Sequence, residues 1–122
     1  MNKLTNKFDL EERTAKFGEE VINFCKTLEL STISKPIVSQ IVRSSTSIGA
    51  NYMEANNASS RKDFTNKIFI CKKESQETKH WLRMLKACFP NRKDEIDILW
   101  NEANELTMIF QKITNSLRKR IE

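Results

Sequence analysis

Two glycines and two prolines in a chain of 122 residues are too few for the tight turns of a sandwich or barrel, and no short β-branched runs alternate with helical stretches. All-β and doubly wound folds are thereby excluded. The longest unbroken apolar run is Ile68-Phe69-Ile70-Cys71, far short of the ~20 residues that a membrane-spanning helix needs. The opening Met1-Asn2-Lys3-Leu4-Thr5 leads into charged sequence without an apolar signal core, so neither a membrane span nor a secretion signal is expected and the location reads as cytoplasmic. Cysteine is scarce: Cys25, Cys71 and Cys88 are odd in number and unrelated in spacing, which suits reduced core thiols better than disulfides or a zinc site. Histidine is scarcer still. His80 stands alone, a poor supply of bases for a serine or cysteine nucleophile, and the isolated Gly18 and Gly49 form no phosphate-cradling loop. Glu77 and His80 have the i, i+3 spacing of the Glu-x-x-His element of di-iron bundles, but those use two copies with two further glutamates. Glu54 or Glu74 could join such a site only with a second histidine from another subunit, and the plainer reading is a surface ion pair. The expectation is a protein that is not an enzyme and that needs no cofactor and no metal.

What the chain does have is helical periodicity. Leu10, Thr14, Phe17, Val21, Phe24 and Leu28 alternate steps of four and three, the seam of a packed helix, with Asp9 as its N-cap. Ser34 is expected to cap a second helix whose first turn tolerates Pro36, with Ile37, Ile41, Ser45, Ile48 and Tyr52 facing inward. Its middle is thin at Ser44, Ser45, Ser47, Gly49 and Ala50, and Gly49 there predicts a close helix contact, since glycine inside a helix costs about 1 kcal/mol against alanine. Ser60 with Asp63 offers an acidic capping box for a third helix, whose seam Phe64, Ile68, Cys71, Ser75, Thr78, Leu82, Leu85 and Phe89 runs until Pro90. Ile96, Leu99, Ala103, Leu106, Phe110, Ile113 and Leu117 form the fourth seam, which ends near Arg118-Lys119-Arg120, a basic stretch that suits a helix C-terminus. One domain over 1–122 is predicted, with helices at about 9–30, 34–57, 60–89 and 92–119. Short links between long helices favour an antiparallel up-down-up-down four-helix bundle. Ile70, Trp81, Met84 and Cys88 on the third helix, and Ile98, Trp100, Met108 and Ile109 on the fourth, lie off the seams. They read either as a broad core face or as a subunit interface, and two tryptophans outside a single interior favour self-association.

Charge is unevenly placed. Residues 61–90 hold eight basic and three acidic groups, while the other three quarters nearly balance, so the net +5 comes mostly from the third helix. Lys72, Lys79 and Lys86 repeat every seven residues beside its seam, with Lys62, Lys73 and Arg83 adjoining. A solvated face is the plain reading for any one of them; as a cluster they form the electrostatic footprint of a phosphate-binding surface. No helix-turn-helix, RNA-recognition aromatic pair or zinc finger accompanies them, so contact with RNA or DNA would read shape and backbone. On the second helix, Gln40, Arg43, Ser47, Asn51 and Glu54 share one polar face. A hydrogen-bonded network with the third helix, such as Arg43 or Glu54 against Glu74 or Lys73, is preferred to a ligand site, because polar groups between helices usually serve one another.

The run Gln40-x-x-Arg43-Ser44-Ser45-x-Ser47-Ile48-x-Ala50-Asn51-Tyr52-x-Glu54-Ala55, then Ser60-x-x-Asp63-Phe64, then Lys73-Glu74-x-x-Glu77-Thr78-x-x-Trp81-Leu82, resembles the bacterial four-helix-bundle proteins encoded in intervening sequences of large-subunit ribosomal RNA genes. The likeness covers the first three helices well and the fourth by pattern, with Ala55 standing where many members have glycine. The resemblance implies a cytoplasmic bundle assembled as a homopentameric ring. It also implies kinship with the accessory protein of diversity-generating retroelements, a basic ring that binds nucleic acid and a reverse transcriptase. It names no reaction. The reading is a non-enzymatic, homo-oligomeric nucleic-acid-binding protein whose phosphate contacts come from Lys62, Lys72, Lys73, Lys79, Arg83 and Lys86; the alternative is an adaptor ring that docks a larger protein partner without nucleic acid.

Overall fold

In the computed structural model, which describes residues 3–121 and the side chains of 10–119, the described chain holds four α-helices and no strand: α1 (Lys3–Cys25), α2 (Ser34–Asn56), α3 (Arg61–Cys88) and α4 (Lys93–Ile121). Helix α2 packs most extensively on α3, then α3 on α4 and α1 on α2, while α1 touches α4 lightly. Residue numbers rise along one helix as they fall along its neighbour: Lys67 meets Glu54 and Arg43 meets Glu74 across α2 and α3, and Lys79 meets Asn104 and Lys86 meets Asp97 across α3 and α4. No described helix is long and apolar enough to cross a membrane.

The core is made by the seam residues. Phe17, Val21, Ile41, Ile48, Ile68, Leu82, Leu85, Ile96, Leu106 and Phe110 are buried, and Tyr52 leans on Phe110 with ring centroids 5.9 Å apart. Polar residues on the seams are satisfied locally. Thr14, Ser75, Thr78 and Thr107 donate to carbonyls three or four residues back, and every buried side-chain nitrogen and oxygen among the described residues has a partner. Burial pushes the thiols of Cys25 and Cys71 up to about 11 and about 12, which keeps them protonated and inert at neutral pH.

Three boundary expectations are corrected. Helix α1 begins at Lys3, so Asp9 lies within it and is no N-cap. It ends at Cys25, five residues before the expected end: Thr27 N–H and Leu28 N–H bond the carbonyls three residues back, and the Thr27 hydroxyl takes the Phe24 carbonyl at 2.6 Å. That tighter turn still delivers Leu28 to the core. At the start of α2 the capping oxygen is that of Ser31. It accepts the Ser34 N–H at 3.2 Å while Ser34 Oγ accepts the Ser31 N–H at 2.8 Å, the reciprocal capping-box pattern with serine in the acid's place. Ile33 is already in the α region, so the cap lies three residues ahead of the serine expected to supply it. By contrast, Ser60 caps α3 as expected, accepting from Asp63 N–H at 3.0 Å, and Pro90 turns the chain through a short 3-10 segment (Pro90–Arg92) into α4.

The off-seam apolar residues divide. Trp81, Trp100 and Ile109 pack against the core, so the expected pair of tryptophans outside the interior is not there. Ile98 and Met108 on α4 remain 69% and 62% exposed.

Candidate nucleic-acid interface

Helix α3 presents three strips. The strip toward α2 carries Lys67, Glu74, Glu77 and Trp81, and it closes on itself. Arg43 of α2 donates to Glu74 at 2.9 Å and to Glu77, and it is steadied by Gln40 at 3.0 Å; Trp81 also donates to Glu77 at 3.2 Å. Burial alone would push the Glu77 carboxyl up, but hydrogen bonds led by that of the Trp81 indole outweigh it and hold Glu77 below its ordinary value. Nearby, the Ser44 and Thr78 hydroxyls meet at 2.9 Å inside the bundle. The polar face of α2 is thus a helix-to-helix network. Arg43 finds Glu74 as anticipated, Glu54 pairs with Lys67 rather than Lys73, and Asn51 turns back to the Ser47 carbonyl at 2.8 Å. Glu77 is committed to Arg43 and Trp81, while His80 lies edge-on to Trp81 with centroids 5.0 Å apart. Among the described residues no group of three or more His, Cys, Asp and Glu side chains could hold a metal ion.

The strip toward α4 carries the lysines spaced by seven. A repeat that runs beside the seam must lie on the helix flank, and there α4 supplies polar partners. Lys79 Nζ donates to Asn104 at 2.9 Å and stands 5.1 Å from the Trp100 ring centroid. Lys86 Nζ binds Asp97 at 2.8 Å, and Lys93 reaches the same carboxylate at 3.1 Å. Those contacts, first Lys86 and then Lys93, hold the Asp97 carboxyl below its ordinary value. Lys72 is half-buried on the same flank. Asp97 and Asn104 escaped the sequence reading, yet their own spacing of seven matches that of Lys79 and Lys86, and that matched interval was the available signal. Trp100 was noticed only as an off-seam apolar residue.

The outward strip carries Lys62 and Lys73, with Arg83 at its border with the α4 flank, all three exposed. None of the ion pairs among the described residues involves these three or Lys72. The six cations singled out from the sequence therefore fall into two groups: four uncommitted charges and two, Lys79 and Lys86, held by α4. Arg118 of α4 covers Phe69 of α3 at 5.3 Å from the ring centroid, adding a cation at the end of the same face.

The sequence profile of the 23S rRNA-intervening sequence proteins matches residues 6–117. The chain belongs to that family. Its fold is shared with a crystal structure of a protein of unknown function from the S23 ribosomal protein family of Bacteroides thetaiotaomicron, with a TM-score of 0.80, 31% identity, and coverage of 89% of this chain and 97% of that one. No curated protein sequence matches significantly. Arg43, Glu54 and Asn51, from the run that carries the resemblance, serve the junction of α2 with α3 and the α2 backbone.

Proposed function

We propose that this intervening-sequence protein is a non-enzymatic, cytoplasmic, single-domain antiparallel bundle that assembles into a homo-oligomeric ring, a homopentamer, and binds RNA or DNA through the cationic side of α3. One observation carries the reading: Lys62, Lys72, Lys73 and Arg83 share one side of one helix, and no carboxylate among the described residues is paired to any of them. Uncompensated charge at the surface is what releases counterions when a phosphate backbone docks, and a ring would present the same side several times over. The family is named for intervening sequences of 23S rRNA, which makes structured ribosomal RNA the first ligand to try.

The test replaces Lys62, Lys73 and Arg83 by glutamine, which removes three charges and no side-chain hydrogen bond among the described residues. Fluorescence anisotropy of a ribosomal RNA fragment and of a duplex DNA, titrated between about 50 and 200 mM salt, should show a log–log slope shallower by roughly 0.7–0.9 per lost phosphate contact. An unchanged slope overturns the assignment. The adaptor reading is favoured by a different observation: Ile98 and Met108 leave apolar surface on the outer side of α4 that suits protein contact. If the wild-type protein ignores both nucleic acids at low salt and captures one dominant protein instead, the adaptor reading replaces the first.

A further inference from the structure

Between α3 and α4 lies a groove of about 310 Å³ lined by Leu82, Arg83, Lys86, Ile96, Asp97 and Trp100. Leu82 and Ile96 lie buried beneath it, so the surface open to a ligand is that of Trp100 and of the rim. Its wall is the half-buried Trp100 ring. Its rim is cationic: Arg83 is exposed and in no ion pair among the described residues, and the single carboxylate, Asp97, is answered by both Lys86 and Lys93. Lys79 sits over Trp100 without lining the groove, so the part of the ring that faces the groove is left to another occupant. Three other cavities among the described residues lack this combination. One of about 440 Å³ near Tyr52 and Phe64 has no charged lining residue, one of about 360 Å³ between α1 and α2 has only Glu11 and Glu19 as charged lining, and one of about 520 Å³ beside the α3–α4 turn has Arg92, already tied to Glu95.

A slot with an aromatic wall and positive charge at its mouth fits one planar, uncharged ring attached to a phosphate. Aromatic side chains hold nucleobases in this way with little sequence preference, but only bases that are free of a duplex can enter. The geometry points to the α3–α4 groove as a subsite for one unpaired nucleobase, packed against Trp100, with the adjoining phosphate on Arg83. This rests on the reading that α3 contacts nucleic acid, and it narrows the ligand to single-stranded or looped segments.

The experiment uses the full chain carrying Trp81→Phe, so that Trp100 is the remaining indole, and titrates it with a short oligo(dT) strand and a blunt duplex of equal length. The single strand should quench Trp100 emission and the duplex should not. Trp100→Leu, which keeps an apolar side chain and whose helicity circular dichroism checks, should weaken the single strand about tenfold and leave duplex binding as it was. Absent quenching, or an equal loss for both ligands, removes the subsite while leaving the cationic-side reading intact. Failure of the unsubstituted protein to bind either ligand removes both. Quenching is read on the intact indole, so it decides the matter even if Trp100→Leu fails to fold.

Discussion

Helices α2 and α4 flank the same helix and treat it differently. On the α2 side the contact is close and sealed: Ser44 and Ser45 are fully buried, the Ser44 and Thr78 hydroxyls meet at 2.9 Å, and Arg43 locks Glu74 and Glu77. On the α4 side the contact is edged by lysines bound to Asn104 and Asp97, with a groove lined by Trp100 left open beside them. Small residues permit hydrogen bonds between backbones' near neighbours; large ones hold helices apart and leave rims. One flank of α3 is therefore spent on holding the bundle together, and the other keeps chemistry in reserve.

The difference predicts unequal costs for removing one cation from each flank. Glu74 is only 9% exposed, so Arg43→Ala would leave a nearly buried carboxylate without its charged partner. The half-exposed guanidinium softens that loss, and about 2 kcal/mol is expected. Lys86→Ala breaks a pair open to solvent on both sides, and Asp97 retains Lys93; a loss under about 0.5 kcal/mol is expected. Urea unfolding followed by circular dichroism reads both. Equal costs would break the comparison.

Much of this asymmetry could be read from the residues themselves. The four-and-three spacing found most of the buried positions because burial follows helical phase, and phase survives errors at the ends. It missed Val38, which is buried where Ile37 was expected, and also Ala55, Thr107 and Thr114. The ends were harder. Asp9 and Ser34 are sound capping residue types, but α1 begins at Lys3 and the α2 cap falls on Ser31, while the early stop of α1 is set by the tight Phe24–Leu28 turn; none of these has a periodic signal. The Arg43–Glu74 bond was legible because both residues stand at inward-flank phases of neighbouring helices. The commitment of Lys79 and Lys86 was not, since it depends on the register of α4 against α3, which a single helix's spacing cannot supply.

The α1–α2 contact, which borders neither flank of α3, can be tested separately through its glycines. A methyl group added at Gly18 would meet Thr46 atoms at 3.5 Å, ordinary contact, whereas at Gly49 it would meet the Thr14 carbonyl carbon at 3.3 Å and the Ala15 nitrogen at 3.4 Å. Both substitutions reduce the freedom of the unfolded chain and favour the helix. Gly18→Ala should therefore raise stability by roughly 0.5–1 kcal/mol. Gly49→Ala must push α1 outward against its own packing, which cancels that gain or reverses it. Thermal midpoints of the two variants test this, and a matching gain at Gly49 would mean that the α1–α2 contact is looser than these distances require.

The smallest expected effect per group is acid sensitivity, and it still separates the flanks. Glu77 on the α2 side and Asp97 on the α4 side are both held below their ordinary values of 4.5 and 3.8. A carboxyl depressed in the folded state binds fewer protons there than in the unfolded chain, so its contribution is complete above the ordinary value and is lost as pH falls through the folded one. Urea midpoints should hold level down to about pH 5 and decline toward pH 3. Removing both ammoniums from Asp97, as Lys86→Ala with Lys93→Ala, should flatten the part of the decline owed to the α4 flank. The part owed to Glu77 should persist, because Arg43 and Trp81 bond it from the other side. A decline that disappears entirely in the double variant would place the acid-sensitive lock on α4, contrary to the division drawn between the two flanks.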